Sequence, residues 1–140
     1  YWKDRIQLIA LGYGIGFSES QEIDELGIVP AVRLAINRAL KQLSQEPQHL
    51  LVDYLSLPEL KIPQTAIIKG DARSLTIAAA SILAKTARDA HMRLLDEQYP
   101  GYGFARHKGY GTSAHQIALQ DLGHCPAHRL SFRFHQKITE

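Results

Sequence analysis

The sequence of 140 residues contains one cysteine, one methionine, one tryptophan and no long apolar run. Because Cys125 has no second cysteine to pair with, an intramolecular disulfide is excluded, and we expect a reducing, cytoplasmic environment. No stretch approaches the roughly 20 apolar residues of a membrane-spanning helix, so no membrane segment is expected. A structural zinc site needs several Cys or His ligands, and we interpret the Cys- and His-containing segment 123–128 as a turn.

The composition is that of a folded domain, with 45% hydrophobic and 21% charged residues. Its length suits one compact core, so we expect a single domain over residues 1–140. Charge is distributed unevenly, because residues 1–68 carry six Lys/Arg and eight Asp/Glu, whereas residues 69–140 carry ten and six. The basic second half favours a polyanionic partner.

Apolar periodicity predicts the element order β–α–α–β–β–α–α, which is an α/β domain. The predicted strands lie at 6–17, 49–53 and 65–68, and the longer helices lie at 31–43, 75–98 and 114–122. Ser74 is expected to cap the second of these helices, and Thr112 or Ser113 the third. Residues 101–111 are predicted to form a loop, and residues 131–134 a short extended segment.

The first predicted strand carries glycine at alternate positions, Gly12, Gly14 and Gly16. Because alternate residues share one face of a strand, these glycines are expected to allow the close approach of another backbone. Ser18 or Ser20 is expected to cap the short acidic helix that follows.

Two aspartates stand where predicted strands leave the core. Asp53 ends the second strand, and Asp71 follows the third. Carboxylates on one rim of a sheet are suitable ligands for Mg²⁺ or Mn²⁺. Solvated loop aspartates are also common after strands, and spacing alone favours that interpretation.

A series of longer motifs reverses this preference. The motifs are Glu22-Ile23-Asp24, Lys69-Gly70-Asp71-Ala72-x-Ser74, Ile77 to Asp89, Tyr99 to Thr112 and Pro126-x-His128-Arg129-x-Ser131-Phe132. In this order they closely resemble the second half of the ribonuclease HII family, over nearly the whole chain.

The resemblance implies a ribonuclease H-like mixed sheet flanked by helices, in which four acidic residues hold two Mg²⁺ or Mn²⁺ ions. Asp53 matches the third of these carboxylates and Asp71 the fourth. The first two, an adjacent Asp-Glu pair, and a Gly-Arg-Gly turn are expected upstream of Tyr1. We therefore expect a partial domain that lacks its N-terminal strands. The isolated chain is expected to be marginally stable and inactive.

The resemblance also implies nucleic-acid contacts in the basic half. Tyr110 matches a tyrosine that stacks against the sugar beside the scissile bond. The expected phosphate contacts are Arg106, His107, Lys108, Lys85 and Arg88. For Lys85 and Arg88, solvation or pairing with Asp89 and Asp71 is an equal alternative.

The chain departs from the family pattern at Tyr54, where the position after the third carboxylate is usually glycine. The bulk of this side chain is expected either to narrow the approach of the nucleic acid or to point away from it. Because Asp53 is intact, we do not interpret the departure as loss of function.

The implied activity is that of a monomeric endonuclease in DNA replication and repair. It hydrolyses the RNA strand of RNA–DNA hybrids and cuts duplex DNA at embedded ribonucleotides. The implied two-metal-ion hydrolysis leaves a 3′-hydroxyl and a 5′-phosphate. The alternative is a truncated, non-catalytic nucleic-acid-binding remnant of the same family. An unrelated hydrolase that uses Ser81 or Ser131 with His107 or His128 is disfavoured, because neither serine lies in a G-x-S-x-G turn.

Overall fold

The computed structural model describes residues 1–132. The elements in this range are helices α1 (Trp2–Ile9), α2 (Ser20–Leu26), α3 (Ile28–Leu40), α4 (Leu75–Gln98), α5 (Phe104–His107) and α6 (Ser113–Leu122), and strands β1 (Leu50–Asp53) and β2 (Gln64–Ile67). The predicted α/β class is confirmed. No helix among the described residues is long and apolar enough to cross a bilayer.

The chain forms two compact units. The first comprises Tyr1–Phe17 and Val32–Ala87, and the second comprises Ser18–Ala31 and the chain from Arg88 onward. The first unit contains the two strands, and the second contains a cluster of aromatic and histidine side chains.

In the first unit, β1 and β2 are parallel neighbours, with Asp53 opposite Ile67. The amide of Tyr54 donates to the carbonyl of Ile67 at 3.0 Å and extends the ladder by one bond. Both strands were predicted to within one residue at each end. Because they are parallel, they end at the same edge of the sheet, and β1 ends on Asp53.

The connection between the strands is held by a reciprocal pair of hydrogen bonds. Gln64 Oε1 accepts from Leu57 N at 2.7 Å, and Gln64 Nε2 donates to Leu57 O at 2.8 Å. Leu57 is fully buried. Since buried backbone groups need partners, the Gln64 side chain allows this loop to pack against the core.

The strand predicted at 6–17 is wrong in the described structure. Residues up to Ile9 belong to α1, and residues 12–19 have no regular secondary structure. A strand needs a neighbouring strand to pair its backbone N–H and C=O groups, and in this segment side chains bond to those groups instead. Gln42 bonds to both Ile15 N and Ile15 O, at 3.1 and 2.6 Å, and Arg38 Nη1 donates to Phe17 O at 2.8 Å.

The expected close approach of another backbone is confirmed at Gly14 and Gly16 but not at Gly12, where a Cβ would meet only the Leu43 side chain at 3.7 Å. A Cβ at Gly14 would lie 2.1 Å from Ala39 O, and one at Gly16 would lie 1.8 Å from Ala35 O. Both carbonyls belong to α3. Only glycine at positions 14 and 16 allows this irregular segment to lie so close to the helix backbone.

In the second unit, Met92, Tyr102 and Phe104 form the buried cluster. The rings of Tyr102 and Phe104 stack with centroids 5.4 Å apart. The Tyr102 hydroxyl donates to Gly123 O at 3.0 Å, which satisfies a carbonyl just beyond α6. This packing orders the segment around α5, which was predicted as loop only.

The N-terminus of α2 differs from the prediction. Its N-cap is Glu19 rather than Ser18 or Ser20, and Glu22 Oε2 accepts from Glu19 N at 2.9 Å in a capping box. Ser18 Oγ instead donates to Ala31 O at 2.6 Å, and Ser20 Oγ to Pro126 O at 2.8 Å. Both hydroxyls are used in contacts distant in sequence, which a local pattern does not reveal.

Two predicted caps are confirmed. Ser74 Oγ accepts from Ile77 N at 3.4 Å at the start of α4, and Thr112 Oγ1 accepts from His115 N at 3.3 Å at the start of α6. Helix α3 begins and ends three residues earlier than predicted, with Pro30 in its first turn. The extended segment predicted at 131–134 lies partly outside the described residues.

Candidate metal-binding edge and nucleic-acid-binding loop

Asp53 is the last residue of β1, and its carboxylate is fixed by the neighbouring turn. Asp53 Oδ1 accepts a hydrogen bond from Gly70 N at 2.8 Å. The side chain is otherwise exposed. One carboxylate oxygen of Asp53 is therefore held at the edge of the sheet by Gly70, the residue directly before Asp71.

Asp71 lies in a single 3-10 turn, Gly70–Ala72, that follows β2. The chain enters this turn through Lys69, whose φ of 53° is left-handed, and Ser74 N donates to Gly70 O at 2.8 Å as the chain enters α4. A Cβ at Gly70 would lie 2.6 Å from Ile77 Cδ1. A β-carbon at position 70 would therefore require the end of the Ile77 side chain to shift. The turn presents Asp71 exposed at the same edge as Asp53.

These two carboxylates suit a hard divalent cation, because both are exposed oxygen donors and neither forms an ion pair among the described residues. Together they contribute only two metal-binding side chains. Within residues 1–132 no group of three or more His, Cys, Asp or Glu residues could hold a metal ion. The described residues thus offer two carboxylates at this edge but no complete metal site.

Tyr54 follows Asp53 directly and adopts a left-handed backbone, with φ of 61°. Its side chain is 77% exposed. Left-handed backbone is costly for residues with a β-carbon and favours glycine. A glycine, which the resemblance implies at this position, would adopt this backbone without strain.

In the second unit, the residues predicted to contact nucleic acid occupy the segment around the end of α5. Lys108 and Gly109 are both left-handed, with φ of 52° and 81°. Arg88 Nη2 donates to Lys108 O at 2.8 Å, so Arg88 supports the backbone of this loop. Tyr110 is 69% exposed, and Arg106 is also exposed. In the first unit, Lys85 is an exposed residue of α4.

His107 differs from its neighbours because it is buried, with 8% exposure. Its Nε2 bonds to Tyr102 O at 2.8 Å, and its Nδ1 accepts from Gly109 N at 3.1 Å. Both ring nitrogens are occupied by backbone groups. This geometry favours a structural role for His107 over the predicted phosphate contact.

Sequence reasoning missed a carboxylate that joins distant parts of the second unit. Asp24 accepts from Leu130 N at 2.8 Å, from Ser131 N at 3.0 Å and from the Ser131 hydroxyl. These bonds, led by the hydroxyl, lower the pKa of Asp24 below its ordinary value. Both halves of the contact lie in recognised motifs, but no spacing rule indicates that they meet.

Comparison with known proteins identifies the family. The family model described as ribonuclease HII matches residues 5–136. The chain belongs to the ribonuclease HII family. The α/β architecture and its parallel strand pair are consistent with the ribonuclease H-like fold.

Individual ribonuclease HII proteins match most of this chain. The protein from Anaeromyxobacter sp. is 56% identical over 128 residues, which cover 91% of this chain and 41% of that protein. Those from Syntrophotalea carbinolica and Myxococcus xanthus are 50% and 53% identical over 129 residues, which cover 62% and 44% of their lengths. The chain thus spans about half the length of these ribonucleases HII.

Proposed function

We propose that the whole protein carrying this chain is an endonuclease that hydrolyses the RNA strand of RNA–DNA hybrids and cuts at ribonucleotides embedded in DNA. The observation that carries the proposal is the pairing of Asp53 with the Asp71 turn through Gly70 N. Membership of the ribonuclease HII family supports the choice of nucleic acid as substrate. Because the chain has a single cysteine and so no internal disulfide, we also propose that the protein is cytoplasmic.

In this proposal Asp53 and Asp71 hold Mg²⁺ or Mn²⁺ together with ligands from elsewhere in the whole protein. Bound divalent ions would supply charge stabilisation and an activated water for phosphodiester hydrolysis. The amide of Gly70 orients the Asp53 carboxylate, since it engages Oδ1 and leaves Oδ2 for other partners. Asp71 is proposed to complete the acidic edge from the adjoining turn.

The exposed ring of Tyr110 is proposed to stack against the sugar beside the scissile bond, an interaction that tolerates any base. Arg106 and Lys108 are proposed phosphate contacts, as is Lys85. Arg88 supports the loop through Lys108 O, and its role in binding would be partly indirect.

The test is cleavage of duplex DNA containing one ribonucleotide by the whole protein, with Mg²⁺ or Mn²⁺ supplied. We expect a cut 5′ of the ribonucleotide that leaves a 5′-phosphate. Asp53→Asn and Asp71→Asn should each lower the rate by about a thousandfold or more, since each removes a charged ligand. Asp121→Asn, an exposed carboxylate on α6, is the control and should cut normally. Undiminished cutting by Asp53→Asn would contradict the metal assignment.

A non-catalytic nucleic-acid-binding remnant is the second candidate. The observation that favours it is that the described residues contain no group of three or more potential metal ligands. This candidate predicts salt-sensitive binding to an RNA–DNA hybrid without cleavage in Mg²⁺ or Mn²⁺. Cleavage by the whole protein that depends on Asp53 would eliminate it.

A further inference from the structure

A chain of hydrogen bonds through two histidines leads to the backbone of Tyr110. His115 Nδ1 lies 3.0 Å from Tyr110 O, and His115 Nε2 lies 3.1 Å from His128 Nε2. At the far end, Cys125 N donates to His128 Nδ1 at 3.0 Å. The chain therefore runs from the turn at 125–128 through α6 to the loop that carries Tyr110.

The partners at the two ends determine the tautomers. A carbonyl oxygen only accepts, so His115 Nδ1 must carry its hydrogen, and a neutral His115 then accepts at Nε2. A backbone amide only donates, so His128 Nδ1 must be the acceptor and His128 Nε2 the donor. All three bonds form together when both imidazoles are neutral, with His128 donating to His115.

A proton added to His115 would place two N–H groups opposite each other at the central 3.1 Å contact. His115 is 3% exposed, and burial is the leading cause that lowers the pKa of both His115 and His128. Four other titratable groups face this pair. The His107 ring stacks on His115 with centroids 4.0 Å apart, and the His124 ring lies edge-on to His128 at 5.6 Å. Cys125 and Tyr102 also contact His128. His107 and His124 both oppose further positive charge on the pair.

The backbone of Tyr110 is held on both sides, although its ring is exposed. Its amide donates to His107 O at 2.9 Å. Its carbonyl accepts from Thr112 N at 2.8 Å and is also the partner of His115 Nδ1. The rings of His107 and His115 stack on each other and bond to the backbone of this loop, whereas the side chain of Tyr110 is exposed.

We propose that His115 and His128 are positioning residues, which as neutral imidazoles hold the Tyr110 backbone so that its ring meets the substrate sugar. The inference rests on the proposed function, because it takes Tyr110 as a substrate contact. It adds that substrate binding depends on the protonation state of a histidine pair that touches no substrate atom. Affinity should therefore weaken in acid.

The first measurement is independent of activity. Nitrogen-15 NMR of the histidine rings in the whole protein at neutral pH should show hydrogen on Nδ1 of His115 and on Nε2 of His128. The two rings should take up protons only below the ordinary histidine pKa of 6.5. The opposite tautomers, or two protonated rings at pH 7, would overturn the inference.

The second measurement is steady-state cleavage of the single-ribonucleotide duplex. His115→Leu should raise KM about tenfold, comparable with the loss of one stacked ring, and should change kcat less than about twofold. His115→Asn keeps an N–H donor near the Nδ1 position and should restore most of the affinity. His124→Gln is the control, since His124 lies outside the hydrogen-bond chain, and its KM should be unchanged.

A double substitution separates this role from general stabilisation. In a Tyr110→Ala background, His115→Leu should cause no further rise in KM, because its effect passes through Tyr110. Additive losses would overturn the inference, as would a KM that does not rise in acid. Failure of the unsubstituted protein to cut any hybrid would overturn the proposed function, whereas the wrong tautomers would overturn the positioning inference alone.

Discussion

The carboxylate of Asp53 is anchored by the amide of Gly70, with Asp53 Oδ1 2.8 Å from Gly70 N. This bond joins the end of β1 to the turn that carries Asp71. A β-carbon at Gly70 would lie 2.6 Å from Ile77 Cδ1 and 3.3 Å from the Asp53 carboxylate. A side chain at position 70 would thus press on the Asp53 carboxylate and on the end of the Ile77 side chain.

Gly70→Ala should disturb both stability and activity. The added methyl group requires the end of the buried Ile77 side chain to shift, which should cost about 1 kcal/mol of unfolding free energy, at the lower end of overpacking costs. The shift should also displace Asp53 and lower the cleavage rate. Urea unfolding and the ribonucleotide assay measure the two effects. Gly12→Ala is the control, because its β-carbon would meet only Leu43 Cδ2 at 3.7 Å.

Tyr54→Gly should stabilise the protein. The left-handed backbone at this position costs about 1–2 kcal/mol for a residue with a β-carbon, and the exposed ring contributes little burial in return. Thermal unfolding should show a higher Tm for Tyr54→Gly. Tyr54→Ala keeps the β-carbon and should not give this gain, so an equal rise in both variants would contradict the backbone explanation.

Gly16→Ala should be far more damaging than Gly12→Ala, although the two positions lie in the same segment. At Gly16 the new β-carbon would lie 1.8 Å from Ala35 O, so the segment must separate from α3. We expect a loss of several kcal/mol at Gly16, at or above the upper end of overpacking costs. Urea unfolding of the two variants provides the comparison, and equal stability would disprove the close approach.

Asp24→Asn should remove a pH-dependent part of the stability. Because hydrogen bonds from Ser131 and Leu130 depress the folded-state pKa of Asp24, its contribution is fully present above the ordinary value of 3.8. It is lost as pH falls through the lower folded-state value. The difference in unfolding free energy between native protein and variant should thus be constant at neutral pH and shrink below pH 3.8.

Asp121→Asn is the control for this pH series, since Asp121 is an exposed residue of α6. Its unfolding free energy should parallel that of the native protein at every pH. A difference between native protein and Asp24→Asn that stays constant down to pH 3 would show that the carboxylate charge of Asp24 does not carry the contact.

The sequence alone predicted those features that short-range signals encode. Apolar patterns predicted both strands, the bounds of α4 and the two aspartates at strand ends. The cap at Thr112 follows from a residue type that caps its own helix. The family motifs then assigned Asp53 and Asp71 to a metal and Tyr110 to a sugar. These assignments remain predictions.

Tertiary structure decided those features that depend on contacts between residues far apart in the sequence. The segment predicted as the first strand is not a strand, since residues up to Ile9 form α1 and the side chains of Gln42 and Arg38 bind the backbone of Ile15 and Phe17. Asp24 meets Ser131 across 107 positions, and His115 Nε2 lies 3.1 Å from His128 Nε2. The metal-ligand prediction at Asp53 came from sequence, but the anchoring of its carboxylate by Gly70 did not. Hydrogen bonds between distant residues leave no periodicity in a sequence, so only the folded chain reveals them.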